Sequence, residues 1–90
     1  MAIYFDSTVA EFHYQYGRAL AETAKLRDAV KALNRALELK PHSADTLVEF
    51  GYVYLGLGFP LRAKGYFKKA TKRSPANKKA KEGLEKLKNV

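Results

Sequence analysis

Cysteine is absent from the 90 residues, so neither disulfide bonds nor thiolate metal sites are available. Histidine occurs only as His13 and His42, in different segments, and two separated imidazoles without further ligands make no metal centre. No stretch approaches the roughly 18 consecutive apolar residues of a membrane helix. The opening MAIYFDSTVAEF has neither the basic start nor the long apolar run of a signal peptide. A cytoplasmic protein is the expectation. Acidic residues are scarce in one region: residues 61–90 hold two (Glu82 and Glu85) against eleven Lys/Arg, whereas residues 1–60 hold seven against six. The formal net charge of +8 therefore resides in the last third, which should attract anions.

What is present is enough for one small domain with a thin core. Hydrophobic residues make up 47% and aromatics 12% of the chain, which excludes a disordered composition. Sliding the sequence on itself by 34 residues aligns Tyr16 with Phe50, Gly17 with Gly51, Leu20 with Tyr54, Ala29 with Ala63, Leu33 with Phe67, Ala36 with Ala70 and Pro41 with Pro75. Each unit reads as two helices. Phe12, His13, Tyr16 and Leu20 recur at helical spacing, and Leu26, Val30, Leu33 and Leu37 do so again. Thr8 and Glu11 form a possible capping box, and Ser43 and Asn77 are good N-caps. Gly58 can end a helix and Pro60 suits the first turn of the next. The spacing thus predicts helices over 9–22, 26–39, 44–57, 60–73 and 78–88, the last with Ala80, Leu84 and Leu87 on one stripe. Short connections make neighbouring helices antiparallel.

A 34-residue helix–turn–helix period resembles the tetratricopeptide repeat. In that register residues 1–9 are a lead segment, 10–43 a first repeat, 44–77 a second and 78–90 a capping helix, all in one domain. The family's packing positions fall on Gly17, Leu20, Ala29, Leu33, Ala36 and Pro41, and on Gly51, Tyr54, Ala63, Phe67, Ala70 and Pro75. Glycine inside a helix costs roughly 1 kcal/mol relative to alanine, which close approach of the paired helix can offset. His13 stands where the family favours tryptophan, Pro60 where it favours an aromatic, and Arg73 where the first unit has Leu39. The resemblance implies an all-α fold: antiparallel helical hairpins stacked as a short right-handed solenoid of about five helices.

No motif supports catalysis or a cofactor. In HSAD, His42 to Asp45, three catalytic residue types are adjacent, but Ser43 as cap and Asp45 in the first helical turn account for the string. GYVYLGLG lacks the Lys-Ser/Thr ending and the preceding strand of a phosphate loop. The chain reads as a non-enzyme with no cofactor, metal or small-molecule substrate. The resemblance implies that another protein's short segment lies in a concave groove lined by Glu11, Tyr14, Gln15 and Arg18, by Asp45, Val48, Glu49 and Tyr52, and by Lys79, Glu82 and Lys86. Tyr14 and Tyr52 would be exposed aromatic anchors there, with Arg18, Glu49 and Lys79 setting charge preference. Relatives that hold a chaperone's C-terminal tail use a lysine–asparagine clamp. Its positions here are Tyr14, Arg18, Glu49, Lys79 and Gly83, so only Lys79 matches and a chaperone tail is not expected.

Two alternatives accompany that reading. Lys64, Lys68, Lys69, Lys72, Arg73, Lys78 and Lys81, with the lysines beyond, form a basic patch that could meet RNA, an acidic lipid surface or an acidic protein. A solvated end-cap explains the same charges, and only Tyr66 and Phe67 interleave them for base stacking, so nucleic acid and membrane rank below a protein partner. The other alternative is a structural, self-assembling repeat module, natural or engineered. Ile3 to Phe5 is too apolar for a free tail, and is expected to fold over the first repeat's open face or to pair with a second subunit.

Overall fold

The computed structural model describes residues 7–41 and 43–89; the Ile3–Phe5 segment and His42 lie outside them. Five helices follow one another: α1 (Ser7–Glu22), α2 (Leu26–Leu39), α3 (Ala44–Gly56), α4 (Pro60–Arg73) and α5 (Lys78–Lys86). Among the described residues there is no strand. α1 packs along α2 and α3 along α4, and these hairpins stack through α2·α3, with α5 closing on α4. Contacts also run α1·α3 and α3·α5, whereas the backbones of α2 and α4 stay apart. Alternate helices therefore form an inner layer, and the outer ones diverge, as in a helical solenoid.

Local chemistry sets the helix ends. The Oγ of Ser43 accepts a hydrogen bond from the Thr46 N–H at 3.3 Å, and Oδ1 of Asn77 accepts from the Ala80 N–H at 3.0 Å. These two caps are 34 residues apart. The capping-box reading at Thr8 does not hold. α1 begins by Ser7, so Thr8 is already helical, and the Glu11 carboxylate instead accepts from Nε2 of Gln15 at 2.8 Å. At its far end α3 stops at Gly56. Gly58, at φ +89°, lets the Phe59 N–H reach the Tyr54 carbonyl (2.9 Å) and its own N–H reach that of Leu55 (3.2 Å). The equivalent turn after α1 makes the same two bonds, from Lys25 to Leu20 (2.9 Å) and from Ala24 to Ala21 (3.1 Å). There, however, an alanine holds the left-handed position, at φ +62°.

Glycine permits the close approach inside each hairpin. A Cβ added to Gly17 would lie 2.7 Å from Leu33, and one added to Gly51 would lie 2.6 Å from the Phe67 ring. Phe67 is also confined from the other side, since a Cβ on Gly83 would lie 2.5 Å from it. The fully buried ring is thus wedged between α3 and α5. Burial of a phenylalanine side chain stabilises by about 1.5–3 kcal/mol. Ala63, Ala70 and Ala80 surround it, while Ala29, Leu33, Phe50 and Val53 form a second cluster between the hairpins. Leu37, Tyr54 and Tyr66 pack against both clusters.

Two stripe assignments are corrected. Phe12 and Tyr16 have the spacing of core residues but are 63% and 51% exposed, stacked on each other at 6.0 Å. Their counterparts 34 residues on, Thr46 and Phe50, are buried. The difference is the preceding hairpin: α1–α2 packs against α3 and covers Phe50, whereas among the described residues no hairpin precedes α1. Pro41 and Pro75 are exposed in the turns and end helices rather than pack.

Candidate functional site

Side chains from α1, α3 and α5 meet along the inner layer. On α1 the guanidinium of Arg18 lies 5.8 Å over the Tyr14 ring, and its Nε is 3.6 Å from the Glu49 carboxylate on α3. The Glu49 side chain is only 13% exposed. Burial pushes its carboxyl above the usual range, opposed by the positive charges of Arg18 and Lys79 and reinforced by Glu22 and Asp45. Glu49 thus pairs with Arg18 of α1 and lies within the field of Lys79 on α5. Burial likewise raises the Tyr14 phenol, with Glu49 and Asp45 adding to the shift and Arg18 opposing it.

Tyr52 joins α3 to α5. Its hydroxyl donates to the Lys79 carbonyl at 3.2 Å, its ring meets Phe67 edge-on at 5.0 Å, and Lys86 Nζ lies 5.7 Å over its other face. The phenol is raised by burial, then by the charges of Glu82 and Glu49. Contacts thus run from Tyr14 through Arg18 to Glu49 and from Lys79 through Tyr52 to Lys86, and the charge of Lys79 reaches Glu49 between the two.

Three expectations change here. Tyr14 and Tyr52 are half-buried rather than exposed, because each ring covers core with one face and lies under a cation with the other. Tyr52 also spends its hydroxyl on the fold. Val48 is 2% exposed and packs in the core, so it offers no groove surface. Glu11, Gln15, Asp45, Lys79, Glu82 and Lys86 are exposed along the same helices.

The basic residues spread over two helices. Lys68, Lys69, Lys72 and Arg73 are exposed on α4, Lys78 and Lys81 on α5, and Lys64 is half-buried. Lys69 Nζ lies 5.5 Å over Tyr66. Tyr66 is in turn stacked on Tyr54 (5.3 Å) and Phe50 (4.9 Å), which leaves little of the ring for a nucleic-acid base. Ser43 accepts from the Thr46 hydroxyl as well as its N–H, consistent with a capping role. His13 packs edge-on against Phe12 at 5.4 Å. Among the described residues no group of His, Asp and Glu could hold a metal ion, and no helix is long and apolar enough to cross a membrane.

Gly83 is the packing residue that the repeat alignment misses. Its counterpart one period earlier is Glu49, so the 34-residue offset does not reveal it. The available signal is a spacing of 16: Gly17 to Leu33, Gly51 to Phe67 and Phe67 to Gly83.

Comparison with known proteins agrees with this architecture. The family model of the tetratricopeptide repeat matches residues 10–43. Protein CTR9 homolog of Arabidopsis thaliana is 32% identical over 80 residues, covering 86% of this chain and 7% of that protein. The chain thus spans a small part of that relative. With its two helices, glycine-mediated approach and terminal proline all in place, the segment 10–43 is a tetratricopeptide repeat, and the chain is an all-α helical-repeat protein.

Proposed function

We propose that the chain is a non-catalytic interaction module that holds a short peptide or helix of another protein along the α1–α3–α5 face. Tetratricopeptide repeats generally mediate protein–protein contacts, which sets the class of function. The supporting observation is the Arg18–Glu49–Lys79 arrangement, in which a largely buried carboxylate pairs with Arg18 of α1 and feels the charge of Lys79 on α5. A partner carboxylate can take over either cation, and the partner's apolar side chains can cover the Tyr14 and Tyr52 rings. Rigid aromatics with a polar edge suit such contacts, and charged neighbours set which sequences are accepted.

Selection from a displayed library of random peptides tests this reading. Peptides enriched on the wild type should bind an Arg18→Glu/Lys79→Glu variant at least about tenfold more weakly, a loss typical of truncating or reversing a charge pair. Equal binding to both would remove the assignment. Tyr52→Ala is a poor probe because it also unpins α5. Salt separates the rival anionic-surface reading: six phosphate contacts would lose on the order of a thousandfold between 50 and 200 mM salt, and a peptide held partly by aromatic contact far less.

A further inference from the structure

The outer layer carries a second surface, unrelated to the inner strip. Because the backbones of α2 and α4 stay apart, a groove of about 680 Å³ lies open between them. Its apolar part is Leu37 from α2, Pro41 from the following turn, Leu47 from α3 and Tyr66 from α4. Its charged part is Lys69, Lys72 and Arg73, and among the described residues no carboxylate lines it. We propose that this groove is a docking site for an acidic amphipathic segment of a partner protein, with apolar side chains against Leu37 and Pro41 and carboxylates against the three cations.

Charge complementarity selects that occupant. Three cations on an apolar floor fit a ligand with both carboxylates and an apolar stripe, a pattern a single helix turn supplies at positions i and i+4. A nucleic acid would use the cations but leave the open surface of Leu37 and Pro41 uncovered. It would also find Tyr66 already stacked on Tyr54 and covered by Lys69. Lys72 and Arg73 complement the C-terminal end of the α4 dipole as well. That accounts for their position on the helix but not for Lys69 or for the apolar floor.

The test is fluorescence anisotropy with a short labelled peptide that alternates glutamate with leucine at helical spacing. Three competitors accompany it: the same peptide with every leucine changed to serine, a lysine–leucine counterpart, and oligouridylate. The acidic leucine peptide should bind the wild type at least about tenfold more tightly than the serine peptide of equal charge. A Lys69→Gln/Lys72→Gln/Arg73→Gln variant, checked for an intact melting transition, should lose that binding, whereas Arg18→Glu/Lys79→Glu should retain it. Equal affinity for the serine peptide, tighter binding of oligouridylate, absence of binding, or loss on the inner-face variant instead would each overturn the proposal. The serine comparison needs no protein variant, so a destabilised triple variant leaves the proposal falsifiable.

Discussion

The two hairpins repeat one pattern and bury it to different extents. In the first, Leu33 fits against a single glycine, Gly17, and the outer side of α1 leaves Phe12 and Tyr16 open. In the second, Phe67 is held by a glycine on each side, and Phe50, at the position of Tyr16, is fully buried. The difference lies in what flanks each unit. α3 and α4 are covered by α2 and α5, while α1 has a hairpin on one side only among the described residues. A repeat's register fixes which residues face along the stack, and its neighbours decide how much of that face leaves water.

The comparison can be broken most severely at Phe67. Phe67→Ala should cost about 3–5 kcal/mol, the range for emptying a large buried site, seen in urea or thermal melts. For a domain of this size each kcal/mol lowers Tm by about 4–8 °C. Gly83→Ala comes next. A methyl group pressed against a confined ring should cost about 1–3 kcal/mol, reduced by the roughly 1 kcal/mol that alanine gains over glycine in a helix. Adding Phe67→Leu, which gives the second hairpin the first one's residue, should recover part of that loss. A net gain from Gly83→Ala alone would remove the wedge from the account.

A subtler pair concerns the turns. Ala24 and Gly58 occupy the same left-handed position one period apart. Ala24→Gly should stabilise by about 1 kcal/mol and Gly58→Ala destabilise by a similar amount, since a Cβ costs roughly 1–2 kcal/mol in that conformation. Opposite signs in matched melts would verify the symmetry. The inner face has a pH signature. Burial raises the Glu49 pKa in the folded state, foremost among its causes, so folding takes up a proton more readily there than in the unfolded chain. The wild type should therefore gain stability relative to Glu49→Gln as pH falls through the folded value towards the ordinary carboxylate value of 4.5. A relative gain with rising pH would contradict that assignment. The smallest effect is expected at the open face: Tyr16→Ser should change stability by less than about 1 kcal/mol, against several for Phe50→Ser.

Much of the fold was legible because its punctuation is local. Ser43, Asn77, Gly58 and Pro60 each act within one helical turn, and the observed ends of α2 and α4 are those the spacing predicts. Burial was less legible. Helical periodicity says that Phe12 and Tyr16 share a face, but not whether a second layer covers it. Gly83 escaped because it lies out of register with Gly51, and its role depends on the size of Phe67. The repeat register placed Tyr14, Arg18, Glu49 and Tyr52 on facing helices. It could not show that the Tyr52 hydroxyl would be used by α5, which takes a tertiary contact across 27 residues. The three cations of the outer groove were legible as part of the basic patch, but their placement beside an apolar floor was not, since the groove arises from the divergence of α2 and α4.

The central claim is that the inner face receives a partner segment. Its most direct test is an amide chemical-shift titration of the isotopically labelled chain with the tightest peptide from the display selection. The shifts should concentrate on Tyr14, Arg18, Glu49, Tyr52 and Lys79 across the three inner helices. Shifts confined to α2 and α4, around Leu37, Tyr66 and Lys69, would contradict that claim and move recognition to the outer groove.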